Sequence, residues 1–433
     1  MTPAQLPPSG TSAAADPQTR LAFGFVTTLF FIWGAVTSVN DVMIPAVKSV
    51  FALSDTEAFL TQFAFFLAYG VVSLPAAALA GRLGSARAIV TALGVMILGC
   101  LLMPLATTLR AYPIVLIALF VIASGITLLQ VSANPLSAAL GPKSRTHFRL
   151  VFSQAFNSVG TVVGPFLAAH TLLQGGLFAG GTPTPDKIAD SLHRIDIAYE
   201  VIAVIVLALA VLLFRVRRLL DASASADTRL AGGTLSAFGS RWALLGAAAI
   251  FLYVGAEVAI GSAMTNFLEQ PDIMGVAPVV AGSLVSLYWL GALVGRFVGS
   301  AALTRLPAGM LLAGAALAAA LACLVVVGIS GPAAGVVALA IGLSNAIMFP
   351  VIFTLTLERS TASTPATVGL LCTAVVGGAV VPLVFAHVAD ASSRSAAFVV
   401  PLVCYLLIAG FALAARRAPL AGRDATEAPT LVH

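Results

Sequence analysis

The sequence predicts an all-α membrane protein in which twelve transmembrane helices form two pseudo-symmetric six-helix bundles. Three observations predict this fold: the composition, the number of long apolar runs, and short motifs that recur at nearly the same offset in both halves. Of the 433 residues, 60% are hydrophobic and 9% are charged, whereas a soluble domain carries roughly 25% charged residues. Because so few charges cannot cover a surface that faces water, lipid must surround most of the chain.

Twelve apolar runs reach the roughly 20 residues that a helix needs to cross a bilayer. All of them are predicted to be helices, because lipid offers backbone groups no hydrogen-bond partner outside the segment itself. The spans are expected at about 21–44, 57–80, 88–108, 113–139, 148–172, 196–214, 242–268, 278–301, 308–329, 332–358, 364–388 and 394–415.

Polar segments divide the chain into two halves and three connecting or terminal pieces. The first polar segment, residues 1–20, is rich in Pro, Ser, Thr and Ala and lacks an apolar core. It is predicted to be disordered, with no cleavable signal. The expected organisation is a cytoplasmic tail at 1–20, a six-helix bundle at 21–214, a cytoplasmic linker at 215–241, a second six-helix bundle at 242–415 and a cytoplasmic tail at 416–433.

The distribution of basic residues predicts the orientation. With the N-terminus in the cytoplasm, 17 of the 22 Lys and Arg residues lie on the cytoplasmic side of the predicted spans. The five outside are Lys48, Arg110, Lys187, Arg194 and Arg394. Such an excess is what the positive-inside rule describes, so the net charge of +5 indicates membrane topology rather than binding to nucleic acid.

Two short motifs recur between the halves. Residues 81–87 (GRLGSAR) follow the second span, and residues 299–305 (GSAALTR) follow the eighth, 218 positions later. Residues 160–165 (GTVVGP) in the fifth span are echoed 217 positions later by 377–382 (GGAVVP) in the eleventh. Near-equal offsets at two separate places indicate two related halves, an arrangement in which transporters bind substrate near mid-membrane, where the halves meet.

Polar side chains inside the predicted spans mark a candidate binding site, because they are costly in lipid and usually face a cavity. The best-placed acids are Asp41, late in the first span, and Glu257, in the middle of the seventh. The amides are Asn40, Gln62, Gln130, Asn134, Gln154, Asn157, Asn266 and Asn345. An amide offers two donors and an acceptor, which suits the hydroxyl groups of a neutral sugar. Aromatic rings such as those of Trp33 and Tyr288 suit its apolar face.

Each of these residues also has a purely structural alternative. Amides can hold helices together, at about 0.6 kcal/mol each on average, Asp41 can cap a helix end, and Glu257 can bond a neighbouring helix. However, Gln130 and Asn134 lie four residues apart, and Gln154 and Asn157 three apart, so each pair shares one helical face. Four amides on two neighbouring spans favour a polar cavity.

Other classes of function find little support. The four cysteines are widely spaced within apolar runs, and the five histidines are far apart, so no metal site, cofactor or disulfide framework is expected. An enzyme is disfavoured because no paired carboxylates or nucleophile–base set appears. A sensor is disfavoured because no soluble domain is appended. A carrier of a drug or lipid remains a rival, although such cavities are mostly apolar.

Several motifs together carry a resemblance to a known family. They are FFIWG (30–34) with Asn40 and Asp41, LQVSANP (129–135), FRL (148–150), QAFNSVG (154–160), YVGAEV (253–258), Tyr288 and Trp289 with GRF (295–297), and SNAIMFP (344–350). From about residue 21 to 417 the chain resembles the fucose/galactose/glucose branch of the major facilitator superfamily. The resemblance implies the major facilitator fold and cation-coupled import of a hexose, with Asp41 at the place of the family's proton-coupling acid.

Two departures within these motifs direct the substrate prediction. Fucose-permease members have a second carboxylate where this chain has Gln130, and an Asn where it has Ser38. The chain is therefore more similar to glucose/galactose transporters. L-fucose, N-acetylglucosamine or a non-sugar solute remain alternatives, and H+ is expected rather than Na+.

The resulting hypothesis assigns roles to named residues. Substrate binding is predicted for Trp33, Asn40, Gln62, Gln130, Asn134, Gln154, Asn157, Glu257, Asn266, Tyr288 and Asn345. Ion coupling is predicted for Asp41 and Glu257. Gating is predicted for Arg82, Arg87, Arg296 and Arg305, with membrane anchoring as the alternative. No metal or cofactor is expected. The expected partners are a sugar, the coupling ion and lipid, and the protein is expected to be a monomer in the bacterial inner membrane.

Overall fold

The computed structural model describes residues 17–51, 53, 55–171, 184–223 and 233–421, and its side-chain description leaves out 39–50, 55–59, 61, 62, 167–171 and 223. Within these ranges the chain is built from helices and contains no strand. The first half comprises α1 (Pro17–Val50), α2 (Asp55–Leu83), α3 (Ser85–Thr108), α4 (Tyr112–Ala139), α5 (Thr146–Thr171) and α6 (Pro185–Ser223). The second half comprises α7 (Arg241–Leu268), α8 (Pro278–Ala302), α9 (Ala308–Gly328), α10 (Pro332–Asn345), α11 (Met348–Arg359), α12 (Thr364–Thr373), α13 (Gly377–Ala391) and α14 (Val399–Arg417).

These helices account for the twelve predicted spans. In the described residues, 11 helical segments are long and apolar enough to cross a membrane, with α10 and α11 forming one and α12 and α13 another. The twelfth span is α5, which carries several polar residues of the candidate site. The twelve-helix prediction is confirmed.

Helix α6 is longer than the apolar run that predicted it. It begins at Pro185 and ends at Ser223, so it continues into the segment that the sequence assigned to the linker. The apolar run ends at the charged residues Arg215, Arg217 and Arg218. The helix continues through them because Leu and Arg are good helix formers.

Two bundles follow from the packing. Helix α1 packs on α5, and α3 on α4 and α6; in the second half α7 packs on α13, α8 on α10, and α9 on α14. The two bundles meet through α2 against α12, and through α5 against α8 and α11.

The repeated glycine motif has the same structural role in both halves. A Cβ atom at Gly160 would overlap the carbonyl oxygen of Phe31 on α1, and one at Gly377 would overlap that of Phe251 on α7. Each copy therefore lets a helix approach the first helix of its own bundle at backbone distance, the use that membrane helices make of small residues.

The break between α10 and α11 also originates in the sequence. Pro350 lacks an N–H group, so it leaves the carbonyl of Ala346 without its helical partner. The chain turns at Ala346 and Ile347 before α11 begins. The freed carbonyl of Ala346 accepts a hydrogen bond from Arg296, as described below.

One end of the molecule is named here the arginine-rich end. It comprises the α2–α3 and α4–α5 connections, the C-terminal ends of α8 and α11, and the N-terminal end of α12, and its basic residues include Arg82, Arg87, Lys143, Arg145 and Arg305. Near this end the two bundles touch directly. A Cβ atom at Gly369 of α12 would lie 2.7 Å from the Cβ of Ala77 and 3.4 Å from the carbonyl oxygen of Ser73, both on α2. The bundles are thus closed against each other at the arginine-rich end.

Candidate functional site

Three predicted amides lie together in the first bundle. Asn134 on α4 is fully buried and Gln154 on α5 is 5% exposed. The side-chain nitrogen of Gln154 donates to the side-chain oxygen of Asn134 across 3.2 Å. Gln130 lies one turn before Asn134, on the same face of α4. The structure therefore joins Asn134 to Gln154, with Gln130 one turn away along α4.

This group leaves two polar atoms without a protein partner in the described part of the chain. They are the side-chain oxygen of Gln130 and the side-chain nitrogen of Asn134, and both atoms are buried. A buried unpaired polar group costs roughly 1–3 kcal/mol. One atom accepts and the other donates, and a hydroxyl group can serve either, because a hydroxyl donates one hydrogen bond and accepts others.

Asn157 has a different role from its neighbours. Its side-chain nitrogen donates to the backbone oxygen of Phe30 on α1 across 3.0 Å. At the same contact, a Cβ atom at Gly34 would overlap the backbone oxygen of Asn157. Asn157 therefore holds α5 against α1, and its amide oxygen and one N–H remain for a ligand.

Trp33 lies on the part of α1 that α5 covers. It is 5% exposed and packs against Phe30 with ring centroids 5.2 Å apart. In this conformation its ring belongs mainly to the bundle core, and little of it is available to stack on a ligand.

In the second bundle, a carboxylate lies at the centre of a small hydrogen-bonded network. Glu257 is partly accessible although it lies in the middle of α7, and the hydroxyl of Tyr253 donates to its Oε1 across 2.7 Å. The hydroxyl of Tyr288 donates to the backbone oxygen of Glu257 across 3.3 Å and accepts from the Asn345 side-chain nitrogen across 2.8 Å. The network fixes the turn of α7 that presents Glu257.

Tyr288 and Asn345 act through this network rather than by facing an open cavity. Both are fully buried, and the backbone of Tyr288 lies against Gly342 so closely that a Cβ there would overlap its carbonyl oxygen. In this conformation Tyr288 does not present its ring to a ligand, because packing of α8 on α10 covers it. The two residues position Glu257 instead.

Arg296 connects the two bundles. Its Nε donates to the Ala346 carbonyl that Pro350 leaves free, across 3.2 Å. One terminal nitrogen of the same guanidinium donates to the backbone oxygen of Gln154 across 3.2 Å and makes a short hydrogen bond to the hydroxyl of Ser158 on α5. The guanidinium is also close enough to act electrostatically on the carboxylate of Glu257. The side chain of Arg296 therefore contacts α5 of the first bundle and interacts electrostatically with Glu257 of the second bundle.

The remaining predicted residues lie apart from this group or outside the described side chains. Asn266 is exposed two residues before the end of α7, about 14 Å along the helix from Glu257. Arg82, Arg87 and Arg305 are exposed at the arginine-rich end. The side chains of Asn40, Asp41 and Gln62 fall among those that are not described, so their assigned roles stay predictions.

Sequence reasoning missed four residues that join the bundles. Ser158 receives Arg296, while His147 on α5 contacts Thr354 and Glu358 on α11. Ser158 lies in the QAFNSVG motif and could have been included from its spacing of one turn from Gln154. Nothing in the sequence pairs His147 with Glu358, which is 211 positions away.

Comparisons with known proteins agree with this architecture. Residues 26–381 match the family model described as Major Facilitator Superfamily. A protein of Brucella abortus biovar 1 (strain 9-941) named glucose/galactose transporter is 40% identical over 374 residues, which cover 86% of this chain and 89% of that protein. The L-fucose-proton symporter of Escherichia coli (strain K12) is 28% identical over 379 residues, 83% of this chain and 85% of that one.

A solved structure gives the same result in three dimensions. The crystal structure titled as the major facilitator superfamily transporter FucP in the outward conformation superposes with a TM-score of 0.83 at 25% identity. The match covers 93% of this chain and 100% of FucP.

Proposed function

The chain belongs to the major facilitator superfamily, and on that premise we propose that it imports a hexose of the glucose/galactose type together with a cation, H+ rather than Na+. The observation that carries this proposal is the buried amide group on α4 and α5, whose free acceptor on Gln130 and free donor on Asn134 match a hydroxyl. The relative at 40% identity that is named a glucose/galactose transporter supports the same substrate class.

Sugar binding takes place between the bundles in this proposal. Gln130, Asn134 and Gln154 contact hydroxyl groups from the first bundle, with the free amide oxygen of Asn157 beside them. Glu257 contributes from the second bundle. Asn40 and Gln62 belong to the site on sequence grounds, whereas exposed Asn266 does not.

The proposed orientation places the arginine-rich end in the cytoplasm of a bacterial cell, with the protein in the inner membrane as a multi-pass monomer. The excess of basic residues at that end supports this orientation. The bundles contact each other there, through α2 against α12 and α5 against α8, and in the proposed cycle this closed end excludes the cytoplasm while sugar enters from outside. Release requires these contacts to open while the opposite end closes.

Ion coupling is assigned to Asp41 and Glu257. An ionised Glu257 attracts Arg296, and Arg296 in turn holds the backbone of Gln154 and the hydroxyl of Ser158. Protonation of Glu257 removes that attraction and frees the guanidinium to leave α5. Arg296 thus links the acid that binds the proton to the helix that carries the sugar-binding amides. Two ligands that act on the same contacts between the bundles are coupled through one conformational equilibrium.

Uptake into proteoliposomes tests the proposal. Glucose, galactose, L-fucose and N-acetylglucosamine are supplied under an inward proton gradient or, separately, an inward sodium gradient. Concentrative uptake of glucose or galactose under the proton gradient is expected. Uptake of L-fucose or N-acetylglucosamine alone would reassign the substrate, and accumulation driven by sodium alone would reassign the ion. Absence of uptake for all four sugars would reject the sugar assignment.

A further inference from the structure

A histidine that the transport site does not use bridges the two bundles at the arginine-rich end. His147 is the second residue of α5, and both nitrogens of its ring contact α11. Its Nδ1 lies 2.6 Å from the hydroxyl oxygen of Thr354, and its Nε2 lies 3.1 Å from Oε1 of Glu358. The bridge joins the first bundle to the second at the place where the protein is closed.

The hydrogen bonds around Thr354 leave Nδ1 two roles. The Thr354 hydroxyl has one proton and lies 2.8 Å from the backbone oxygen of Pro350 and 3.2 Å from that of Val351. While the hydroxyl donates to Pro350 it accepts from a protonated Nδ1, and when Nδ1 is unprotonated the hydroxyl can donate to the ring instead. The contact between His147 and Thr354 therefore persists in both charge states of the ring.

The environment of Glu358 determines what Nε2 must do. Its other oxygen, Oε2, accepts from Arg359 across 3.0 Å, and Arg359 is itself held by the backbone oxygens of Ala415 and Leu355. A carboxylate paired with an arginine is ionised and can only accept. Nε2 therefore donates to Glu358, and when the ring carries both protons this hydrogen bond becomes an ion pair between the bundles.

The charged groups that surround His147 are consistent with a titrating bridge. On α11 the ring faces Glu358, with Arg359 behind it. In the turn before α5, Lys143 and Arg145 are exposed, and on α5 itself Arg149 turns away to the backbone oxygens of Ala138 and Pro142. The side chains of His147 and Glu358 are 19% and 29% exposed, so water can deliver the proton.

We propose that His147 is a proton-sensing bridge that stabilises the closed form of the arginine-rich end when that side of the membrane is acidic. The bridge exists only while α5 and α11 are together, so proton binding and closure favour each other by linkage. At alkaline pH the neutral ring keeps its hydrogen bonds to Thr354 and Glu358 but no longer forms an ion pair with Glu358, so the closed form loses that stabilisation.

The consequence for transport rests on the orientation and the proton coupling proposed above. If this end is cytoplasmic, protons that enter with the sugar accumulate on the side that His147 senses. They then favour the closed form and slow the opening that releases more sugar. The carrier would thus be restrained by the acid that its own cycle delivers.

Distance measurements between spin labels test the bridge without any sugar. Cysteines are introduced at Ser144 in the α4–α5 connection and Thr304 beyond α8, both exposed at the arginine-rich end, while native Cys100, Cys323, Cys372 and Cys404 are buried. Distance distributions are recorded from about pH 8 to pH 6, the range in which histidine gains its charge. The His147→Gln variant keeps a polar side chain that does not titrate.

The expected result is a difference between the two proteins. From the high to the low pH, the closed-to-open ratio should rise about two- to fivefold more in the wild type than in His147→Gln, as for a partly exposed ion pair. Asp41 and Glu257 are present in both proteins, so any effect of their protonation on the distances is the same in the two and does not contribute to the difference. The matched control is His387→Gln on α13, an exposed histidine, which should behave as the wild type.

Two outcomes would overturn the proposal: an equal pH response in His147→Gln and the wild type, or no response in either. Glu358→Gln gives an independent test if His147→Gln folds poorly, because it removes the acceptor charge and should flatten the response in the same way. A wrong sugar assignment would show in the uptake assay and leave these distances unaffected, so the two failures are distinguishable.

Discussion

Arg296 of α8 donates to the backbone oxygen of Gln154 on α5 across 3.2 Å, and this hydrogen bond crosses the boundary between the bundles. The side chain of the same Gln154 donates to Asn134. Arg296, which is predicted to act in gating, is therefore linked through Gln154 to Asn134, which is predicted to bind sugar. Movement of α8 away from α5 must alter this group of amides.

Replacing Arg296 with Gln should uncouple the bundles. The variant loses charge-assisted hydrogen bonds worth about 1.5–3 kcal/mol each, so the rate of sugar transport should fall at least about tenfold. Arg417→Gln is the matched control, since Arg417 is an exposed arginine at the end of α14 in the same bundle. Exchange of labelled sugar across proteoliposomes measures both variants, and equal rates for the two would remove Arg296 from the gate.

Sugar affinity should depend on Gln154 and not on Asn266. Gln154→Ala removes a buried hydrogen-bonding group, which costs about 1–2 kcal/mol and corresponds to roughly five- to thirtyfold weaker binding. Asn266→Ala changes an exposed amide of the same chemistry and should leave the Kd unchanged. Calorimetric titration with the transported hexose compares them. Weaker binding by the Asn266 variant would restore that residue to the site and contradict its placement.

Asp41→Asn should abolish accumulation driven by the proton gradient while counterflow of sugar continues. An amide cannot exchange a proton at neutral pH, so binding and alternation persist but the gradient no longer drives them. Glu200→Gln, at an exposed acid on α6, serves as the control and should accumulate sugar normally. If Asp41→Asn still concentrates sugar, the coupling role passes to another group.

Glu257→Gln separates ion coupling from sugar binding at the second acid. The amide still accepts from Tyr253 but no longer attracts Arg296, so the bridge to α5 should loosen permanently. We expect the pH dependence of uptake to flatten with a Kd for sugar changed by less than about threefold. A large loss of affinity with intact pH dependence would instead assign Glu257 to sugar binding alone.

Close helix packing in the first bundle can be tested on α1 with one substitution at two positions. At Gly34 a Cβ atom would overlap the backbone oxygen of Asn157, whereas at Gly24 no atom lies within 4 Å. Gly34→Ala should therefore destabilise the protein by about 1–3 kcal/mol, and Gly24→Ala should be neutral or slightly stabilising. Thermal unfolding in detergent measures both, and equal Tm values would show that α1 and α5 are not in backbone contact.

Much of the fold follows from the sequence because the lipid environment imposes simple rules. Long apolar runs become helices, so the twelve spans and the two halves could be read from hydropathy. The ends of α6 could not be predicted in this way. Hydropathy marks the limits of the apolar run, and the helix extends beyond both limits. The pairing of Gln130 with Asn134 on one face could be predicted since helical spacing alone determines it.

The sequence by itself thus determined which polar residues lie within the apolar helices. Only the tertiary structure decided which of them meet. In the structure Asn157 contacts α1, and Tyr288 and Asn345 are buried next to Glu257. Asn266 is exposed, and Arg296 donates to Ser158. These outcomes depend on the rotation and crossing of helices that are far apart in the chain: Arg296 and Ser158 are separated by 138 positions. Helical periodicity is a property of one segment, whereas such pairings come from packing between segments, which no local pattern encodes.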